Sequence, residues 1–280
     1  MEALLAWKSV FVIVFFAAFL VAERLRPAVQ APTGTGRLTR NGVLWGANLI
    51  LSPLFVLPLT LLATQYGPAW RPEWLGGGLG LALDLILLDF GIYFLHRAFH
   101  ETPFLWRFHE PHHLDETLDA TTAVRFHFGE VAISAVIRTV FVLALDIDWT
   151  SVIIFEILVL TAAIFHHSNV KLPAKAEGVL SRFIVTPSIH WVHHHAVRAD
   201  TDSNYALIFS LWDPLFGTRS KTVRTADMPI GVEGQRDLPV VQLLLAPFWA
   251  REDGEPSQAQ GVECDAEKSP PPLTGERDRV

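Results

Sequence analysis

Apolar positions along this chain fall into five runs rather than the short alternations of a soluble domain. The first is Val10–Ala22, "VFVIVFFAAFLVA", with Ala3–Trp7 ahead of it. The second, Gly42–Leu62, has no charge across 21 residues, and the third, Leu75–Leu95, is apolar apart from Asp84 and Asp89. Two shorter runs follow, Val131–Leu145 and Val152–Phe165, interrupted by Arg138 and Glu156 and joined by "DIDWT". A helix needs about 20 apolar residues to cross a bilayer. The first three runs therefore predict membrane helices, with a kink at Pro53 and Pro58 in the second, which neighbouring helices can accommodate. The last two predict either two short spans or a hairpin that partly enters the membrane. The start "MEALLAWK" holds one acid and one base. That is a poor basic region for a cleaved signal, so the first run is expected to stay as an anchor.

Composition strengthens this picture. The 280 residues are 50% hydrophobic and 18% charged, with a mean hydropathy of +0.31; soluble domains carry about a quarter charged residues. The expected fold is all-α: an integral membrane protein with about four to five membrane-embedded helices and a helical cap. Four regions are expected: an anchor at 1–75, a catalytic unit at 76–220, an extension at 221–250 and a tail at 251–280. The net charge is −7 with a pI near 5.9. No basic stripe marks a nucleic-acid surface, and much of the acidity lies in the tail, which reads as solvated and disordered. The single cysteine, Cys264, lies there too. No intrachain disulfide and no thiolate metal site can form.

Charge also orients the runs. Arg24, Arg26, Arg37 and Arg40 lie between runs one and two, which places that loop in the cytoplasm. Threading the remaining runs back and forth puts "TQYGPAWRPEW" and "LDID" outside. His96 to Glu130, and everything from His166 onward, then fall inside. Every histidine lands on the cytoplasmic face.

That matters because the twelve histidines are clustered between positions 96 and 195. His96 and His100 are spaced i, i+4; His109, His112 and His113 form H-x-x-H-H; His190, His193 and His194 repeat it inside "TPSIHWVHHH". Residues three and four apart share a helix face. Each cluster can thus aim imidazoles at one point, with the adjacent histidine swung toward a second. A helix carrying the second cluster is expected to begin near Glu110, with Pro111 in its first turn. One such cluster is weak evidence and three on one membrane face are not. Imidazole suits zinc, copper, iron and nickel. Nine or more histidines overfill one site and suit two. Two transition metals beside a bilayer without thiolates suggest chemistry on O2, for which a histidine-dominated di-iron site is the nearest fit.

The segments "DFGIYFLHRAFH", "WRFHEPHH", "VRFHFGE", "FHHSNV" and "TPSIHWVHHH" together resemble the sterol desaturase / fatty acid hydroxylase superfamily, in order and spacing, over roughly residues 80–217. The resemblance implies an integral membrane, non-haem di-iron oxygenase that uses O2 and outside electrons to hydroxylate or desaturate a lipid C–H bond. It implies His96, His100, His109, His112, His113, His167, His190, His193 and His194 as metal ligands. A tenth is His127, His166 or a water. His127 stands in "RFHFGE", where many relatives have proline at the position of Phe128. His195 is expected to be exposed. Zinc is a possible substitute metal.

Ligating histidines usually give their second N–H to a carboxylate or carbonyl. Asp89 is the expected orienter, directly or through Tyr93, because the two share a stripe with His96 and His100. Arg125, Glu130, Glu156, Asn169 and, with less support, Asp84 are further candidates near the metals; Arg97 and Glu101 are expected at solvent or headgroups. Phe94, Phe99, Phe104, Trp106 and Phe108 either line a lipid entrance between the second, third and fourth apolar helices or serve as interfacial anchors. No flavin or nicotinamide fingerprint is visible. Electrons are therefore expected from a separate reductase with a ferredoxin or cytochrome carrier, at the inner membrane in a bacterium or the endoplasmic reticulum in a eukaryote. The rival readings are a membrane metal-binding protein without oxygenase turnover and, more remotely, a metal-dependent lipid hydrolase.

Overall fold

The long apolar runs of the chain are helical. The computed structural model describes residues 2–30 and 35–249. The expected tail at 251–280, with Cys264, lies outside the described residues. In chain order, α1 (Glu2–Leu25), α2 (Gly36–Gln65) and α3 (Gly77–Glu101) lead into the short α4 (Pro103–His113), followed by α5 (Phe128–Leu145) and α6 (Trp149–His167). Five short helices complete the order: α7 (Ala174–Leu180), α8 (Pro187–His193), α9 (Arg198–Thr201), α10 (Trp212–Phe216) and α11 (Val240–Leu245). Among the described residues no strand forms; three isolated bridges, such as Pro27 with Val170, are the only extended pairings. The fold is all-α, as the apolar pattern requires.

Helices α1, α2, α3, α5 and α6 are each long and apolar enough to cross a membrane. With 18 and 19 residues, α5 and α6 fit the two-span alternative by length and composition. α2 runs unbroken for 30 residues through Pro53 and Pro58. Apolar side chains such as Phe11, Ile50 and Val140 point outward, while Lys8, Asp84, Arg138 and Glu156 of the long helices stand in ion pairs. Lys8 and Arg138 both meet Glu156, tying α1, α5 and α6 together. Arg71 lies 2.5 Å from Asp84 of α3. Pairing is what lets a charge persist at such depth. Glu156 and Asp84 are thus explained by helix packing and lie outside the histidine groups.

The turn between α5 and α6 shows the local logic. Asp146 ends α5 in the left-handed region, φ 53°, and accepts from the Arg71 and Ala69 amides at 3.2 and 3.3 Å. Two residues on, Asp148 caps α6 through the Thr150 and Ser151 amides at 2.7 and 3.2 Å. An N-cap carboxylate of this kind contributes about 1 kcal/mol.

One boundary differs from expectation. α4 begins at Pro103, not near Glu110. Pro103 takes the first helical position, where its missing N–H costs nothing. Pro111 then lies inside the final turns, and the helix ends at His113. All three histidines of the second cluster are consequently in its last turns. The peptide from 114 to 127 folds over this end, held by Arg37, which donates to Asp115 and Asp119 at 2.6 Å each and to the Thr117 carbonyl at 3.0 Å.

Gly129, in the first turn of α5, is a close-approach glycine. A Cβ there would come within 2.5 Å of the Phe108 ring and 2.9 Å of His127 Nδ1. Gly129→Ala is expected to lower stability by about 1–3 kcal/mol through overpacking, read as a lower midpoint in thermal unfolding of the solubilised protein. An unchanged midpoint would show that Phe108 can move aside freely.

Candidate metal centre

The polar ends of α3, α4, α6 and α8 meet at one face of the bundle. Their histidines separate into two buried groups. His96, His100, His109, His113 and His193 offer ring nitrogens that all lie within 4.8 Å of one another; so do those of His112, His167, His190 and His194. The H-x-x-H-H of α4 is split, His109 and His113 to the first group and His112 to the second. His190, His193 and His194 are split likewise, with His193 in the first group.

The hydrogen atoms decide what these groups can do. His96 Nδ1 donates to the Tyr205 carbonyl at 2.7 Å, and His109 Nδ1 to Glu130 at 2.8 Å. In a neutral imidazole the proton on Nδ1 leaves Nε2 as a bare lone pair. The two Nε2 atoms nevertheless face each other at 3.2 Å. The second group repeats this arrangement. His112 Nδ1 donates to the Arg125 carbonyl at 3.2 Å and His167 Nδ1 to the Ala163 carbonyl at 2.8 Å, while their Nε2 atoms are 3.1 Å apart. Lone pair against lone pair in a buried site is repulsive unless a cation lies between. Donors 2.0–2.1 Å from a metal stand roughly 2.9–3.4 Å from each other. Three further Nε2 spacings fall in that range: 3.2 Å for His113–His109, 2.9 Å for His190–His167 and 3.2 Å for His194–His190. Each group therefore fits a transition metal ion.

Burial keeps the rings in the binding form. Removal from water holds His109 down at about 3. It lowers His112, His113, His190, His193 and His194 well below the ordinary imidazole value, helped by neighbouring rings. Neutral imidazole is the ligating species.

Several expected residues lie elsewhere. His127 caps α5, accepting from the Gly129 amide at 2.9 Å through Nδ1 and donating to the Leu244 carbonyl at 3.1 Å through Nε2. Both ring nitrogens are occupied, and it belongs to neither group. His166 is buried with its ring 3.9 Å from that of His190, also outside both groups. Asn169 clips the segment after α1, accepting from the Val29 amide at 3.0 Å and donating to the Val29 carbonyl at 2.7 Å. Asp89 accepts from Trp212 Nε1 at 2.7 Å and the Phe209 amide at 3.1 Å, not from a histidine. Tyr93 pairs with Thr218 at 2.8 Å. These two residues hold the segment after α8, and that segment orients the rings through its carbonyls. His195 is mostly covered rather than exposed, because it pairs with Asp200 at 2.7 Å. Phe99 is buried against His109, and Trp106 lies 5.1 and 5.3 Å from His100 and His113; Phe94 and Phe104 face outward. Arg97 and Glu101 pair at the surface at 2.7 Å.

The sequence reading missed the main-chain acceptors: Tyr205 for His96, Ser203 for His193 at 2.7 Å, Ala163 for His167. A carbonyl has no residue signature. One signal was available: Asp213, within "WDPLFGT", accepts from the Tyr205 and Ala206 amides at 2.8 and 3.2 Å and so fixes the carbonyl that orients His96.

Residues 81–218 match the family model described as fatty acid hydroxylase, and this span contains every histidine of both groups. These residues belong to the fatty acid hydroxylase family. Relatives are consistent with that membership. An ornithine lipid hydroxylase from Rhizobium tropici is 28% identical over 212 residues, covering 75% of this chain and 63% of the relative. The alkylglycerol monooxygenase of Homo sapiens is 33% identical over 131 residues, covering 47% of this chain and 28% of the relative. A fatty acid hydroxylase from Lecanicillium sp. is 29% identical, covering 64% and 50% respectively. The chain thus spans less than two thirds of the length of each. No solved structure matches it. Within this fatty acid hydroxylase segment, Glu130 accepts a hydrogen bond from His109 at 2.8 Å, and Asp202 lies farther off, 3.5 Å from His100 Nδ1. Glu130→Gln is expected to weaken metal retention about 10–100-fold, the usual scale for a group that orients a ligand, measured as metal content after equilibration with a chelator. Wild-type retention would reassign Glu130 to packing.

Proposed function

We propose that this chain is a membrane-bound lipid oxygenase whose two histidine groups each hold an iron ion. Its catalytic unit is residues 76–220, with 1–75 as anchor and 221–250 as an extension. The observation that carries the reading is the pair of facing Nε2 lone pairs, one pair in each group. The relatives' names supply the reaction class: two hydroxylases and a monooxygenase, acting by name on ornithine lipid, alkylglycerol or fatty acid. When bound, the irons supply O2 activation, with zinc able to occupy the same donors without that chemistry.

The protein's own part is derived from its residues. Nine histidines present unprotonated nitrogens, and His96, His109, His112, His167 and His193 are locked in orientation by acceptors at their Nδ1 atoms. Glu130 holds the His109 proton. Phe99, Trp106 and Tyr205 surround the first group and exclude water from it. The lipid reaches the site from the bilayer side, and the product is an alcohol or, by the wider superfamily analogy, an alkene. With no nucleotide-cofactor motif in the chain, electrons come from a separate reductase through a ferredoxin or cytochrome. The basic loop before α2 supports a cytoplasmic site.

The test is the lipid extract of cells with and without the gene, compared by mass spectrometry, alongside O2 uptake by the purified protein with a reductant. A lipid shifted by +16 mass units for hydroxylation, or −2 for desaturation, with reductant-dependent O2 consumption is expected. Bound metal with neither change would favour the metal-binding protein without turnover.

A further inference from the structure

The uncharged stretch Leu238–Trp249 lies outside every crossing helix yet displays apolar side chains. Val241, Leu245 and Trp249 follow one another at i, i+4 and i+8 and are 65%, 41% and 58% exposed; Phe248 is 57% exposed. The opposite face is fastened down. Leu243 is fully buried with Leu44 of α2 and Leu114. The Leu244 carbonyl takes the His127 proton at 3.1 Å, and Asp237, just ahead, receives Arg40 at 2.6 Å and Arg125 at 3.1 Å. A contiguous exposed apolar stripe is a liability in water, and a one-sided apolar segment ending in aromatics suits the boundary between headgroups and acyl chains. The helix it is fastened to, one long and apolar enough to cross a membrane, is exposed just beyond the contact, at Leu49 and Ile50.

We propose that this strap lies in the lipid headgroup region of the bilayer and forms one rim of the entrance to the metal centre. This rests on the lipid-oxygenase reading for its purpose, but not for its placement. Phe248 is 5.7 Å from Phe108, ring to ring, and Phe108 is 5.5 Å from the outward-facing Phe104. Phe108 directly precedes His109. The aromatic file Phe104–Phe108–Phe248 thus joins the strap to α4, the helix that carries His109 and His113 into the first histidine group. His127 serves this strap by holding its main chain.

The test uses the full chain with Cys264→Ser as background and single cysteines at Val241, Leu245 or Trp249, each carrying a nitroxide label. The protein is reconstituted into vesicles of phosphatidylcholine with a minor share of phosphatidylglycerol. Asp227→Cys, in an exposed loop, is the aqueous control. Collision with O2, which concentrates in lipid, is compared with collision with a water-soluble nickel chelate. The strap labels are expected to show an O2-to-nickel ratio several-fold above the control. Ratios equal to the control would overturn the proposal. Shielding from both reagents would also overturn it, showing that a protein partner or a second copy covers the stripe. Because the readout needs neither metal nor turnover, a failed oxygenase assay leaves it standing, and its failure leaves the oxygenase reading standing.

Discussion

Replacing His193 with alanine is expected to reduce product formation at least about 100-fold, beyond the range for groups that merely orient a ligand, while the protein still inserts into the membrane. His193 comes from α8 but belongs to the first group, whose other four members come from α3 and α4. Its Nδ1 is fixed on the Ser203 carbonyl at 2.7 Å, and no other residue occupies its Nε2. The substitution removes the one donor by which the C-terminal half of the site reaches the first group. His112→Ala does the converse: it removes the α4 donor from a second group otherwise built by α6 and the segment around α8. Each variant should lose the lipid mass shift. The check is lipid mass spectrometry on membranes containing equal amounts of each protein. Full activity in either would contradict the ligand assignment. His127→Gln is the matched control. It lies in neither group, so it is expected to lower stability without removing metal.

Arg125→Ala is expected to be the most destabilising single change, by about 3–5 kcal/mol, the scale for breaking a buried ion pair. The guanidinium is fully buried. It donates to the Pro111 carbonyl at 2.7 Å, to Asn41 at 2.9 Å and to Asp237. It thereby joins α4, α2 and the strap, and its own carbonyl holds His112. Alanine removes this donor from the Pro111 carbonyl and from Asn41, and leaves Asp237 with Arg40 alone. Lysine, a single point donor, should recover only part of the loss, because it cannot serve three acceptors in one plane. Thermal unfolding of the solubilised protein measures this, with Arg97→Ala as reference. Arg97 is in an exposed pair, worth about 0–1 kcal/mol. Equal effects in the two variants would mean that the Arg125 network carries no stability.

The two substitutions divide what the sequence made legible from what it did not. Membrane helices are legible because the bilayer forces backbone hydrogen bonding inside each segment, so length and hydropathy carry nearly all the information. The histidine groups are legible because i, i+3 and i, i+4 spacing is a rigid consequence of the helix. How the groups divide between two centres is not, since that depends on how α8 docks against α3 and α4. Asp89 was read by helical stripe as a partner of His96, but its acceptor is claimed by Trp212 and the Phe209 amide from a distant segment. His127 matched a family box, yet the turn into α5 uses one nitrogen and the strap the other. The strap itself was unreadable as a functional element. Its buried face is set largely by Leu44 and Leu114, far away in the chain.

The central claim is that two metal ions share this one face. It is tested most directly by counting metal per chain in protein supplied with ferrous iron under anaerobic conditions and freed of loosely bound ions. Two irons per chain are expected, with one lost in His100→Ala and one in His194→Ala. A single ion in the wild type, or two ions retained in either variant, would contradict the account.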